Sequence, residues 1–169
     1  MQTWTEGLRK LRACQEAIKW CQSCDCPDEA WQKCHRPDWM VWLIGKTIED
    51  ADNKPLVLIA CECARLALPY VPKGDDRPLK AIETAEAWVR GEATMEDIQS
   101  ATESAAESAA ESAAWAAAMS AELAKSNAES AAWLSESAAR LAGSINETLQ
   151  LQCADIVRKY YPKAPELKQ

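Results

Sequence analysis

The feature that most restricts what this chain can fold into is a run of small residues, ATESAAESAAESAAWAAAMSAELAKSNAESAAWLSESAARLAG, in which ESAA repeats three times from Glu103 to Ala114. Between Glu96 and Trp133 only Ile98 and Leu123 are branched aliphatic residues. Strands need β-branched and aromatic side chains, whereas alanine has the highest helix propensity, so the tract reads as helix. A four-residue repeat slips about 40° around a straight helix with each unit. Paired alanines widen the small-residue stripe and tolerate that slip, while Glu103, Glu107 and Glu111 stack like charges suited to water. Trp115, Met119, Leu123, Trp133, Leu134 and Leu141 supply intermittent anchors. The expectation is two closely packed antiparallel helices, with Ser126 followed by Glu129 as an internal cap.

The tract also carries the charge. It holds nine carboxylates and two basic side chains from Glu96 to Glu147, which accounts for the whole net charge of -7 and leaves the remainder neutral. That balance argues against wrapping nucleic acid. With 169 residues the chain suits one domain. The amino end MQTWTEGLRKLRAC has no apolar signal region and no window reaches the length of a membrane span. A cytoplasmic protein is expected, with eight cysteines present as reduced thiols rather than disulfides.

Read in order, apolar spacing predicts a helix from Glu6 to Gln22, and Pro27 opens a short helix through Cys34. Asp38 is expected to cap DWMVWLIGKTIED, whose inner face is Trp39, Met40, Leu43 and Ile44. Pro55 suits the first turn of a helix carrying Leu56, Ile59, Ala60, Cys63 and Ala67, which Pro69 and Pro72 stop. Asp75 or Asp76 caps a helix from near Pro78, burying Leu79, Ile82, Ala85 and Val89 and ending at Gly91. Thr94 with Asp97 resembles a capping box. After the small-residue tract, a final helix from about Ser144 to Tyr160 buries Leu149, Cys153, Ile156 and Val157. The fold class is all-α, a single helical domain of about seven helices. Residues 1–93 form a mixed-core part with a Cys/Trp-rich turn, 94–162 the alanine-rich helices packed on it, and 163–169 a polar tail.

Two constellations carry chemistry. Cys21-x-x-Cys24 can bite one zinc ion, with Cys34 or His35 returning across the turn, although the second C-x-x-C of a strong motif is missing and buried thiols are the alternative. Structural zinc is the one cofactor the sequence leaves open. Arg65, Lys73, Arg77, Lys80 and Arg90 bracket the proline-rich turns beside Tyr70. They suit a carboxylate, phosphate or acidic partner, or else salt bridges to Asp75, Asp76, Glu83 and Glu86. His35 is the only histidine and no nucleophile elbow surrounds it, so no catalytic group is assigned and no enzyme is expected.

The segments DWMVWL, CARLALPYVPKGDDRPLKAIETAEAW, RGEAT and the terminal CADIVRKYYP resemble the immunity proteins of polymorphic toxin systems, of the immunity protein five type, which include phage-encoded members. The resemblance implies an all-helical cytoplasmic protein that binds and neutralises a protein toxin or defence effector without catalysing a reaction. A phage copy would imply counter-defence, in the host cytoplasm, by blocking an effector or sequestering an anionic nucleotide signal. The positions that such a site would use are Asp38, Trp39, Arg65, Tyr70, Lys73, Asp76, Arg77, Lys80 and Glu83. Three readings follow: a protein inhibitor, a nucleotide sponge, and a zinc-stabilised structural protein. A homo-oligomer is compatible with each, because a thin alanine helical pair buries little area.

Overall fold

A computed structural model of the chain describes residues 4–47, 53–105 and 147–167. The expected pair of alanine-rich helices, with Trp115, Trp133 and the Ser126 cap, lies outside the described residues, as does Ser144. Among the described residues there are eight α-helices and no strand, so the fold is all-α. They are α1 (Trp4–Lys10), α2 (Gln15–Gln22), α3 (Pro27–Lys33), α4 (Pro37–Thr47), α5 (Lys54–Ala67), α6 (Arg77–Arg90), α7 (Met95–Ala105) and α8 (Glu147–Tyr160), with a short 3-10 turn at Leu68–Tyr70.

The predicted helix from Glu6 to Gln22 is in fact two. Arg12 takes a left-handed φ of 62°, and the Ala13 and Arg12 N–H groups turn back to the Leu8 and Arg9 carbonyls. That double closure is the Schellman ending of a helix. It recurs at Gly91 (φ 80°), where the Glu92 and Gly91 N–H groups reach Ala87 and Trp88. Glycine announces such an ending in a sequence and arginine does not, so apolar spacing ran straight through α1 into α2.

Two helix starts also differ in detail from those expected. Pro37, not Asp38, begins α4, because proline's missing N–H costs nothing in a first turn. Asp38 sits inside that turn and is buried. Asp76 occupies the cap position of α6 without a side-chain cap bond, whereas Asp75 accepts the Arg77 N–H at 3.2 Å. The Thr94 box forms as expected: Asp97 accepts from the Thr94 N–H at 2.7 Å and Thr94 Oγ1 accepts from the Asp97 N–H at 3.2 Å.

Packing centres on α5, which lies against both α6 and α8. Helix α8 also touches α4, and α7 packs on α6. Leu56, Val57, Ile59, Ala60, Cys61, Cys63 and Ala64 are all buried, so α5 is apolar on more than one face. Its neighbours contribute Met40, Val41 and Ile44 from α4, Ala81, Ile82 and Ala85 from α6, Ile98 from α7, and Cys153, Ala154 and Val157 from α8. Each large aliphatic side chain withdrawn from water contributes about 1.5–3 kcal/mol. Alanines and cysteines between them let the helix backbones approach closely. Across the α5–α8 seam, Glu62 receives the Lys159 ammonium at 2.6 Å and the Tyr160 hydroxyl at 2.5 Å.

Candidate functional site

The proline-rich turn between α5 and α6 is built for rigidity. Pro69 and Pro72 each fix φ, the Val71 N–H returns to Leu68 and the Asp75 N–H to Pro72, and Gly74 takes a φ of 93° that side chains rarely adopt. On this scaffold Tyr70 is 56% exposed, one of two large hydrophobic residues so exposed among the described residues. Pro69, Pro72 and Lys73 are exposed beside it in sequence.

The basic residues around the turn are engaged locally. Arg65 makes a two-pronged bridge to Glu86, Nε to Oε1 at 2.8 Å and Nη2 to Oε2 at 2.7 Å, joining α5 to α6. Hydrogen bonding to Glu86 raises the Arg65 pKa and holds its charge. Arg77 grips Asp75 through Nε and Nη2, both at 2.9 Å. Lys80 lies 2.7 Å from Asp76, one helical turn back, and hydrogen bonding to Lys80 lowers the Asp76 pKa. Arg65, Lys80 and Glu83 share an open groove of ≈ 720 Å³ with Glu86, Arg90, Glu92 and Asp97. The surface thus alternates in sign, and of the two alternatives the sequence left open, salt bridges to Asp75, Asp76 and Glu86 are present.

Asp38 and Trp39 lie elsewhere, at a cleft bounded by α1 to α4. Arg36 holds both of them. Its Nε and Nη2 donate to the two Asp38 oxygens at 2.9 and 2.7 Å, and its Cζ sits 4.4 Å from the Trp39 ring centre. A buried carboxylate paired in this way orders the start of α4.

The candidate zinc ligands Cys21, Cys24, Cys34 and His35 lie in and just after α2 and α3. Among the described residues no three His, Cys, Asp or Glu side chains are grouped to hold a metal ion. Four of the sulfurs in this region make a local hydrogen bond. Cys14 Sγ caps α2 by accepting the Ala17 N–H, and Cys26 Sγ caps α3 through the Glu29 N–H, both at 3.4 Å. Cys24 donates to the Trp20 carbonyl and Cys34 to the Arg36 carbonyl. His35 is exposed, with its ring edge-on to Trp20. Burial, followed by the neighbouring Cys34, Cys24 and Cys14 thiols, pushes Cys21 up to about 12, and burial also raises Cys34. Nucleophilic chemistry needs the thiolate, which this setting disfavours. All eight cysteines are free thiols.

Arg36 and Arg158 are the organising residues that spacing arguments missed. From α8, Arg158 donates to the Trp31 carbonyl at 3.2 Å and to the Cys34 carbonyl, closing the carboxyl end of α3. The residues that follow α8, just before the expected polar tail, are tied down as well. The Trp31 indole and the Gln32 amide donate to the Tyr161 and Pro162 carbonyls, both at 2.8 Å. A Cβ on Gly7 would meet Leu167 at 3.0 Å, so α1 and the tail touch where only glycine fits without adjustment. Only the apparently isolated tryptophan and glycine in the sequence could have hinted at this closure.

Among the described residues no helix is long and apolar enough to cross a membrane. No curated protein and no solved structure matches the chain. A family model described as "Imm-5 like putative immunity protein" matches residues 46–143, more than half of the chain, and within it fall α5, the Tyr70 turn, α6 and α7. The chain therefore belongs to the Imm-5 like immunity protein family.

Proposed function

We propose that this protein neutralises a toxin or bacterial defence effector by binding it, through the Tyr70 turn and the adjoining α6 surface, without chemical conversion of the target. Family membership supports an immunity role. The observation that carries the choice of surface is Tyr70, exposed on a turn stiffened by two prolines within the family-matched segment. An exposed tyrosine offers large contact area with few rotors, and tyrosine is enriched among the residues that dominate interface energetics. A turn that is already rigid forfeits little entropy on binding. Alternating charges along Lys73, Asp76, Lys80 and Glu83 would set orientation and association rate more than affinity.

The protein-binding reading is favoured over nucleotide sequestration. Arg65, Arg77 and Lys80 each already face a carboxylate. A phosphate would have to displace those partners and then lie beside them, whereas a protein surface of alternating charge can add contacts around them.

Changing Tyr70 to Ala together with Lys73 to Glu is expected to weaken target binding by roughly 30-fold or more, corresponding to about 2 kcal/mol for an interface anchor. The melting temperature should stay within about a degree of the native value, since exposed substitutions rarely alter stability. Undiminished neutralisation by a folded double variant would remove this surface from the account.

A further inference from the structure

The proposed docking face runs into the open groove along α6, and the groove has an unbalanced sign. It is lined by α6, the link to α7, Asp97 of α7 and Arg65 of α5. Three cations, Arg65, Lys80 and Arg90, stand among four carboxylates, Glu83, Glu86, Glu92 and Asp97. Each cation is already committed. Arg65 holds Glu86, Arg90 holds Glu92 at 2.7 Å, and Lys80 holds Asp76, which is not part of the lining. Two carboxylates are left over. Among the described residues neither Glu83 nor Asp97 has a cation within ion-pair distance, and both are exposed. Glu83 acts on Arg65 only at longer range, and Asp97 accepts from the neutral N–H and hydroxyl of Thr94, both at 2.7 Å. The surplus does not end at the groove. From Glu96, in the first turn of α7, to Glu147 the sequence holds nine carboxylates and two basic side chains.

We infer that the neutralised effector presents a basic segment to this groove, with a lysine or arginine taken up by Glu83 and Asp97. The inference rests on the α6 surface being the docking face, since Lys80 and Glu83 belong to both. A cation arriving in the groove finds two carboxylates without breaking a bridge. An arriving carboxylate must first take Arg65, Lys80 or Arg90 from the partner it already has. The chain's net charge of -7 draws a basic surface in from a distance, and the groove then fixes its register. Tyr70 supplies contact area and the groove supplies the choice of partner charge.

The test titrates the full chain with a short oligo-arginine peptide and with an oligo-glutamate peptide of equal length. Saturable binding of the first and none of the second is expected. Glu83→Gln combined with Asp97→Asn should weaken the oligo-arginine complex about five-fold, as two exposed charge contacts would. The amide oxygen of Asp97→Asn can still accept from the Thr94 N–H. Glu16→Gln combined with Glu166→Gln removes the same charge from exposed positions outside the groove, and should change affinity by less than about two-fold. Equal losses in the two pairs, or tighter binding of oligo-glutamate, would overturn the inference. Should Asp97→Asn loosen α7, Glu83→Gln alone decides, and native affinity in that variant rejects the site. The peptide lacks the apolar surface that Tyr70 would anchor, so the two readings fail separately. Lost neutralisation in the Tyr70 and Lys73 double variant, with no groove preference for oligo-arginine, rejects this inference alone. Undiminished neutralisation there, with the groove preference intact, rejects the Tyr70 turn and upholds the basic partner.

Discussion

The α5–α6–α7 body and the α1–α3 segment are assembled in opposite ways. The body is held by side chains on regularly spaced positions of helices α5 and α6, each 14 residues long, and its polar links lie at the edge of an apolar core. Helices α1, α2 and α3 are 7, 8 and 7 residues long, too short to be stable alone. Cysteine sulfurs, an arginine in a left-handed conformation and the Arg158 guanidinium from the far end of the chain punctuate and anchor them. One region is specified by periodicity, the other by individual tethers. The family match covers all of the first and none of the second.

The contrast is sharpest under truncation. Replacing Ile82, fully buried among α5, α6 and α7, by Ala should cost about 2–5 kcal/mol in urea unfolding, through lost transfer energy and the cavity left behind. Leu8→Ala in α1 should cost less than half as much, because the short helices can collapse around the gap. Equal losses would show that the two regions share one packing regime.

Tethers come next. Arg158→Met keeps much of the side chain's bulk but leaves the Trp31 and Cys34 carbonyls without their guanidinium donor. A loss of about 2 kcal/mol is expected, with hydrogen exchange accelerating first in α3 and not in α5. Uniform acceleration across both would contradict the idea that Arg158 acts locally.

The smallest effect is alkaline. Cys21 titrates near 9 when unfolded and about 12 when folded, chiefly because burial disfavours its thiolate. Its contribution is present below pH 9 and is lost as pH rises towards 12. The melting temperature should therefore decline across that window, and Cys21→Ala should flatten part of the decline. A variant as sensitive as the native protein would remove Cys21 as a cause.

Legibility in the sequence followed the same division. Ile59, Ala60, Cys63, Ile82, Ala85, Cys153 and Val157 were readable as core from helical spacing, and the structure buries them all. The Thr94–Asp97 box was readable because both partners lie within one turn. The cysteine-rich turn was not. Cys14 and Cys26 serve as sulfur caps, which no cysteine spacing announces and only the backbone positions of Ala17 and Glu29 reveal. The basic cluster and its candidate carboxylates were visible as composition, but which carboxylate each arginine takes depends on the rotamers that bring Glu86 to Arg65 and Asp75 to Arg77. Contacts spanning the whole chain, such as Trp31 to Tyr161 and Gly7 to Leu167, leave no local pattern.

Recognition of the target without its turnover is checked by titrating a purified cognate effector. Residual effector activity should fall linearly to an end point at a fixed molar ratio, independent of incubation time and restored on dissociation. Progressive inactivation by a small fraction of an equivalent, persisting after the protein is removed, would contradict it.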